Sequence, residues 1–116
     1  MTEHFNDLTP GQCERLALLL EEMGEAQQII GKILRHGYNS EHPDGGPTNR
    51  RLLEKEIGDV IAAVDMLVKA DDLDDDRIQD CRFKKHKTVK PYLHHQEPTS
   101  VDLGRGDDRP RPAADE

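Results

Sequence analysis

The sequence predicts an all-α protein with two long antiparallel helices and a shorter third helix. Apolar residues recur with helical period on both sides of a Gly/Pro-rich stretch, and capping residues mark the helix starts. In each long helix the apolar residues occupy nearly half of the circumference, more than three helices of one 116-residue chain can cover. We therefore expect homo-oligomerisation to complete the helical bundle, as a homodimer or a dimer of dimers.

The first helix is predicted to run from Pro10 to about Arg35. Thr9 suits the N-cap, Pro10 suits the first helical position, and Gln12 closes a capping box with Thr9. Gly37 suits the position after the helix, where a left-handed backbone conformation is common.

The loop over residues 36–48 contains three glycines and two prolines, which exclude regular structure. Thr48 or Asn49 is predicted to cap the second helix, which runs to about Lys69. The acidic run 71–76 lacks the glycine and glutamate of an EF-hand loop, so we interpret it as a turn that caps the third helix. That helix is predicted from about Asp75 to Lys90.

Composition limits the classes of function. We expect one domain over residues 1–96 and a disordered acidic, Pro-rich tail over residues 97–116. The formal net charge of -8 argues against nonspecific binding to nucleic acid or to anionic membranes. No apolar run reaches 18 residues and no signal-peptide pattern is present, so the expected location is the cytoplasm.

Each long helix carries two acidic residues spaced by three. At about 100° per residue, Glu22 and Glu56 fall within the apolar arcs of their helices, and Glu25 and Asp59 fall at the edges of these arcs. A solvated acidic face would lie opposite the apolar arc. The charged residues of the second helix that do lie there are Glu54, Lys55 and Asp65.

Carboxylates that face a protein core need compensation. An ionised carboxylate in a core costs several kcal/mol unless it is paired or bound to a metal ion. Hard carboxylate oxygens suit Mg²⁺ or Mn²⁺, so the two acidic pairs predict a divalent metal site. In the alternative interpretation, Glu22 and Glu56 flank a narrower core and reach water at its edge.

The pattern Glu21-Glu22-x-x-Glu25 followed by Glu56-x-x-Asp59 resembles the signature of the MazG-like all-α nucleoside triphosphate pyrophosphohydrolases. The resemblance covers roughly residues 10–95, although the 30 residues between Glu25 and Glu56 form a longer spacer than is usual in the family. It implies hydrolysis of a nucleoside triphosphate to the monophosphate and pyrophosphate, with two or three Mg²⁺ or Mn²⁺ ions. The implied metal ligands are Glu22, Glu25, Glu56 and Asp59. Glu21 and Glu22 are the candidate catalytic residues.

The resemblance also implies candidates for substrate binding. In the loop, Tyr38 is expected to stack on a base and Asn39 is expected to hydrogen-bond one. The alternative is a surface loop that contacts no ligand. Lys84, Lys85 and Lys87 of the third helix are expected to hold the triphosphate. A solvated basic face is the alternative for these lysines.

A short chain with an unusual loop looks like the phage-borne branch of the family, some of whose members act on dGTP. The expected substrate is then a guanine deoxynucleotide in the host cytoplasm. Two alternatives stay open. One is the phosphoribosyl-ATP pyrophosphohydrolase of histidine synthesis, which shares the acidic pattern, and the other is a helical interaction module whose buried acids pair with basic residues of a partner protein.

Overall fold

A computed structural model describes residues 6–96, and all regular structure in that range is helical. The all-α prediction is therefore confirmed. The chain divides after Leu73 into two compact units, a division that falls within the residues predicted to form one domain. The predicted tail, residues 97–116, lies outside the described residues. Among residues 6–96, no helix combines the length and the apolar character needed to cross a membrane.

Helix α1 (Pro10–His36) begins where the sequence predicts. Its capping box is formed: the Gln12 N–H donates to Thr9 Oγ1 over 3.1 Å, and the Thr9 N–H donates to Gln12 Oε1 over 2.9 Å. Gly37 ends the helix with φ of 92°, a backbone conformation that favours glycine, and its N–H donates to Ile33 O over 2.7 Å.

Helix α2 (Asn49–Lys69) has Thr48 as its N-cap. Its first residues also hold the loop in place, since the N–H groups of Asn49 and Arg50 donate to the carbonyl oxygens of Ser40 and Tyr38, over 2.9 and 2.8 Å. The buried Asn49 side chain donates to Gly37 O over 3.2 Å. These hydrogen bonds hold the start of α2 next to the end of α1.

At the other end of this helical hairpin, Arg15 of α1 meets Asp72 just beyond α2. The guanidinium donates two hydrogen bonds to the carboxylate, Nε to Oδ2 over 2.6 Å and Nη2 to Oδ1 over 3.1 Å. These hydrogen bonds lower the pKa of Asp72, although burial acts in the opposite direction. Contacts at both ends therefore make α1 and α2 antiparallel neighbours.

The core of this first unit is narrow. Its buried apolar residues among those described are Ala26 and Ile29 of α1 and Ala63 and Leu67 of α2, and Leu67 is completely buried. Two of these four side chains are alanines, which is compatible with close packing of the helices. The same helix faces carry the acidic pairs.

The second unit contains helix α3 (Asp75–Thr88) and a short 3-10 helix, Lys90–Tyr92. Asp74 caps α3 by accepting the Arg77 N–H over 3.3 Å, which confirms the capping role predicted for the acidic run. The helix ends two residues before the predicted Lys90, because Pro91 has no N–H to donate to the Lys87 carbonyl, and the chain continues as the 3-10 helix.

Candidate metal centre

Four carboxylates converge between α1 and α2. Within each helix, acids three residues apart share a face, and the antiparallel packing turns the two faces toward each other. One carboxylate oxygen from each acid lies within 4.8 Å of the other three. We call these residues the acidic cluster: Glu22, Glu25, Glu56 and Asp59. The structure thus brings the four predicted ligands together, and their binding of a metal ion stays a prediction.

The acidic cluster is partly removed from water. Glu56 is 9% exposed, and the other three acids are half-buried. Oε2 of Glu22 and Oε2 of Glu56 are buried without a hydrogen-bond partner in the described part of the chain. The alternative in which Glu22 and Glu56 reach water therefore does not hold for these two oxygens.

Lys55 supplies a positive charge at the edge of the acidic cluster. Its ammonium group lies 2.7 Å from Asp59 Oδ2 and 3.4 Å from Glu56 Oε1. The hydrogen bond to Asp59, with the charges of Asp59 and Glu56, raises the pKa of Lys55. The sequence placed Lys55 on the solvated face. Its side chain is indeed 63% exposed, but the long stem brings the ammonium back to the acids.

The charges within the acidic cluster repel one another. A hydrogen bond to Glu56 is the main reason that the pKa of Glu25 is raised above its ordinary value of 4.5, followed by the charge of Glu22 and by burial. The charge of Glu21 contributes least to this shift. Without a cation, the site thus favours a proton on Glu25.

This arrangement fits a hard divalent cation. Four carboxylates offer only oxygen donors, which Mg²⁺, Mn²⁺ and Ca²⁺ prefer to nitrogen or sulfur. Glu22 and Glu56 each have a buried oxygen without a hydrogen-bond partner in residues 6–96. A bound cation would give these carboxylates a partner and would reduce the repulsion among their charges.

The other predicted site residues are not members of the acidic cluster. Glu21 is exposed and outside the acidic cluster. Tyr38 is 51% exposed, and the guanidinium of Arg50 lies 4.7 Å from its ring centroid. Asn39 is exposed in the loop. The three lysines are exposed on α3, in the second unit, and their contact with phosphate stays a prediction: Lys84, Lys85 and Lys87.

Sequence reasoning missed two contacts of the first unit. The spacing of Lys55 and Asp59, four residues on one helix, was the available signal for their ion pair. No local signal indicates the contact between Arg15 and Asp72, because 57 positions separate them in the chain.

Comparison with family models, with curated proteins and with solved structures finds no match for this chain.

Proposed function

We propose that this protein is a divalent-metal-dependent hydrolase that converts a nucleoside triphosphate to the monophosphate and pyrophosphate. The observation that supports this proposal best is the acidic cluster, with its two buried and unpartnered carboxylate oxygens. The residues that would hold two or three Mg²⁺ or Mn²⁺ ions are Glu22, Glu25, Glu56 and Asp59. Bound ions of this kind neutralise phosphate charge and lower the pKa of water.

The residues of the chain contribute orientation and proton transfer. In the proposed reaction the oxygen of water forms a bond to phosphorus, the phosphoanhydride bond breaks, and pyrophosphate leaves. The proton of the attacking water passes to a carboxylate. Glu21 is a candidate for this role because it lies outside the acidic cluster and its charge acts on Glu25; Glu22 is the second candidate.

A guanine deoxynucleotide is the substrate that we propose, on the basis of the family resemblance. Tyr38 and Asn39 would contact the base, and Lys84, Lys85 and Lys87 would hold the phosphates. Arg50 already lies over the ring of Tyr38, so base stacking would use the free face of the ring or displace Arg50. Phosphoribosyl-ATP is the alternative substrate.

We also propose that a second copy of the chain covers the apolar residues that α1 and α2 leave exposed, and that α3 joins the bundle. Leu20 is 75% exposed and Leu34 is 83% exposed. With Leu16, Met23 and Ile30 they follow helical spacing along one face of α1. In sedimentation experiments, Leu20→Glu should shift the protein from dimer or tetramer to monomer, whereas Glu14→Gln, also on α1, should not. An equal oligomeric state for wild type and Leu20→Glu would contradict this interface.

Pyrophosphate release from a panel of deoxynucleoside and ribonucleoside triphosphates tests the proposed reaction. The assay compares wild type, Glu56→Gln and Glu54→Gln with Mn²⁺ or Mg²⁺, and chromatography identifies the nucleoside product. We expect monophosphate and pyrophosphate from wild type and from the Glu54→Gln control, and loss of both on chelation or in Glu56→Gln. Phosphoribosyl-ATP is tested in the same series.

The contact of Lys55 with Asp59 favours one different function. It shows that a protein ammonium group can occupy the edge of the acidic cluster, as basic residues of a partner protein would in an interaction module. No metal-dependent turnover of any nucleotide or of phosphoribosyl-ATP would refute the hydrolase and favour this module.

A further inference from the structure

The end of α1, the loop and the start of α2 enclose a second site, which we call the loop pocket. Its volume is about 260 Å³. All three segments belong to the first unit of the chain. The charged and polar residues that matter for its chemistry are Lys32, Arg35, His36, Glu41, His42 and Asn49.

The loop pocket is cationic in an acidic protein. Lys32 and Arg35 are basic residues, and neither side chain has a hydrogen-bond or ion-pair partner among the described residues. Glu41 is the one acid among the described residues that line the pocket. With neutral histidines, two cations and one anion leave a net charge of +1, although the whole chain carries -8.

Basic residues at the C-terminus of a helix are common because they stabilise the helix dipole. That effect accounts for Arg35 and His36, but it does not require a concave site. Here the loop wall is held in place by Asn49, whose N–H donates to Ser40 O over 2.9 Å and whose side chain donates to Gly37 O over 3.2 Å. Ser40 itself lines the pocket. The cations therefore face a wall that exists before any ligand binds.

The loop pocket lies close to the acidic cluster along both helices. Lys32 follows Glu25 by seven residues, and Asn49 precedes Glu56 by seven. Seven residues are nearly two helical turns, so each pair shares a helix face at about 10 Å separation along the axis. The long side chains of Lys32 and Arg35 can shorten this gap.

We infer that the loop pocket binds a phosphate-type oxyanion without the help of a metal ion. A guanidinium and an ammonium group donate strong, charge-assisted hydrogen bonds to phosphate oxygens. The anion has two possible sources: free phosphate or pyrophosphate, and the far end of a triphosphate whose other phosphates lie at the acidic cluster. The second source rests on the proposed function, and the first does not.

Calorimetric titration of the metal-free protein with sodium pyrophosphate, in chelator and without other phosphate, tests the inference. Wild type should bind, and Lys32→Gln and Arg35→Gln should each weaken binding at least about tenfold. Lys69→Gln makes the same charge change at the far end of α2 and should leave affinity unchanged. Melting curves of the variants check that each one folds.

The variant Glu41→Gln distinguishes two kinds of ligand for the loop pocket, an anion and a molecule that donates hydrogen bonds to Glu41. Removing this like charge should strengthen pyrophosphate binding. The inference is overturned if wild type does not bind pyrophosphate, if Lys69→Gln weakens binding as much as Arg35→Gln, or if Glu41→Gln weakens it. Because no metal ion or turnover is involved, failure here is distinct from failure of the hydrolase proposal.

A second titration identifies the source of the anion. The Mn²⁺-loaded protein is titrated with an α,β-methylene triphosphate analogue, with and without saturating inorganic phosphate. Weaker analogue binding in phosphate, seen in wild type but not in Arg35→Gln, assigns the loop pocket to the end of the triphosphate. Unchanged analogue binding assigns it to a free anion.

Discussion

Glu56→Gln is the perturbation that tests the acidic cluster most directly. Glutamine preserves the shape of the side chain and removes its charge. Glu56 is 9% exposed, and its Oε2 has no hydrogen-bond partner among the described residues. In the metal-free protein, this carboxylate has lost water without gaining a full replacement. The substitution should therefore stabilise the metal-free protein, against the usual direction for a buried position.

The size of the effect follows from these contacts. A buried polar group left without a partner costs about 1–3 kcal/mol, and more when it is charged. Lys55 offsets little of this cost, because its ammonium lies 3.4 Å from Glu56 Oε1 but only 2.7 Å from Asp59 Oδ2. Glutamine stays polar, but it carries no charge and can donate its amide N–H to a neighbouring carboxylate, so we expect the free energy of unfolding to rise by about 1–3 kcal/mol. Each kcal/mol corresponds to a Tm shift of roughly 4–8 °C in a domain of this size.

A bound metal ion should reverse the order of the two proteins. At a concentration one thousand times its Kd, a ligand stabilises the folded state by about 4.1 kcal/mol, which exceeds the lead of about 1–3 kcal/mol expected for metal-free Glu56→Gln. Wild type would gain this amount, whereas Glu56→Gln, which lacks one of the proposed ligands, would gain much less. Thermal melts followed by circular dichroism, in chelator and then in Mn²⁺, measure both effects.

Glu54→Gln provides the matched control, since it removes the same charge from the exposed face of α2. Its Tm should follow that of wild type in both conditions. A lower Tm for metal-free Glu56→Gln would refute the assignment of an uncompensated buried charge. An equal response of wild type and Glu56→Gln to Mn²⁺ would refute the metal site.

Three further outcomes are expected. Lys55→Gln should lower the Tm of the metal-free protein and tighten Mn²⁺ binding, because the ammonium no longer occupies Asp59; weaker Mn²⁺ binding by calorimetry would contradict this. Because the pKa of Glu25 is raised, its contribution to stability is complete below about pH 4.5 and is lost as the pH rises through the folded-state pKa. Melts of metal-free wild type and Glu25→Gln should therefore diverge above pH 4.5, and identical pH profiles would count against the shift. Asp72 has a lowered pKa, so its contribution is complete above about pH 3.8 and is lost as the pH falls through the folded-state pKa. Arg15→Gln should remove this acid-side loss, and a low-pH profile unchanged from wild type would contradict the role of Arg15.

The helix starts could be predicted because their signals are local. Thr9, Thr48 and Asp74 each accept a backbone N–H three residues ahead, as their positions in the sequence indicate. The C-terminal ends of the helices were less predictable. α3 stops at Thr88 rather than at Lys90, because Pro91 cannot donate the next α-helical hydrogen bond and the chain tightens into a 3-10 helix.

The loop shows why a residue type does not identify a pocket. Tyr38 and Asn39 have side chains suited to a base, and their contact with a base stays a prediction. Neither residue lines the loop pocket, whose wall includes Ser40, Glu41 and the basic residues at the end of α1. Its position depends on the hydrogen bonds of Asn49 to the loop, which form only when α2 packs beside α1.

The helices could be derived from the chain alone, and so could the helix faces on which four acids lie: Glu22, Glu25, Glu56 and Asp59. Capping and helical period act within about four residues, so they can be recognised in the chain. Tertiary structure decided that the two acidic pairs meet within 4.8 Å, that Glu56 is the most buried of them, and that Arg15 pairs with Asp72. These properties depend on which face of α1 packs against which face of α2. That pairing is set by contacts between segments that are distant in the sequence.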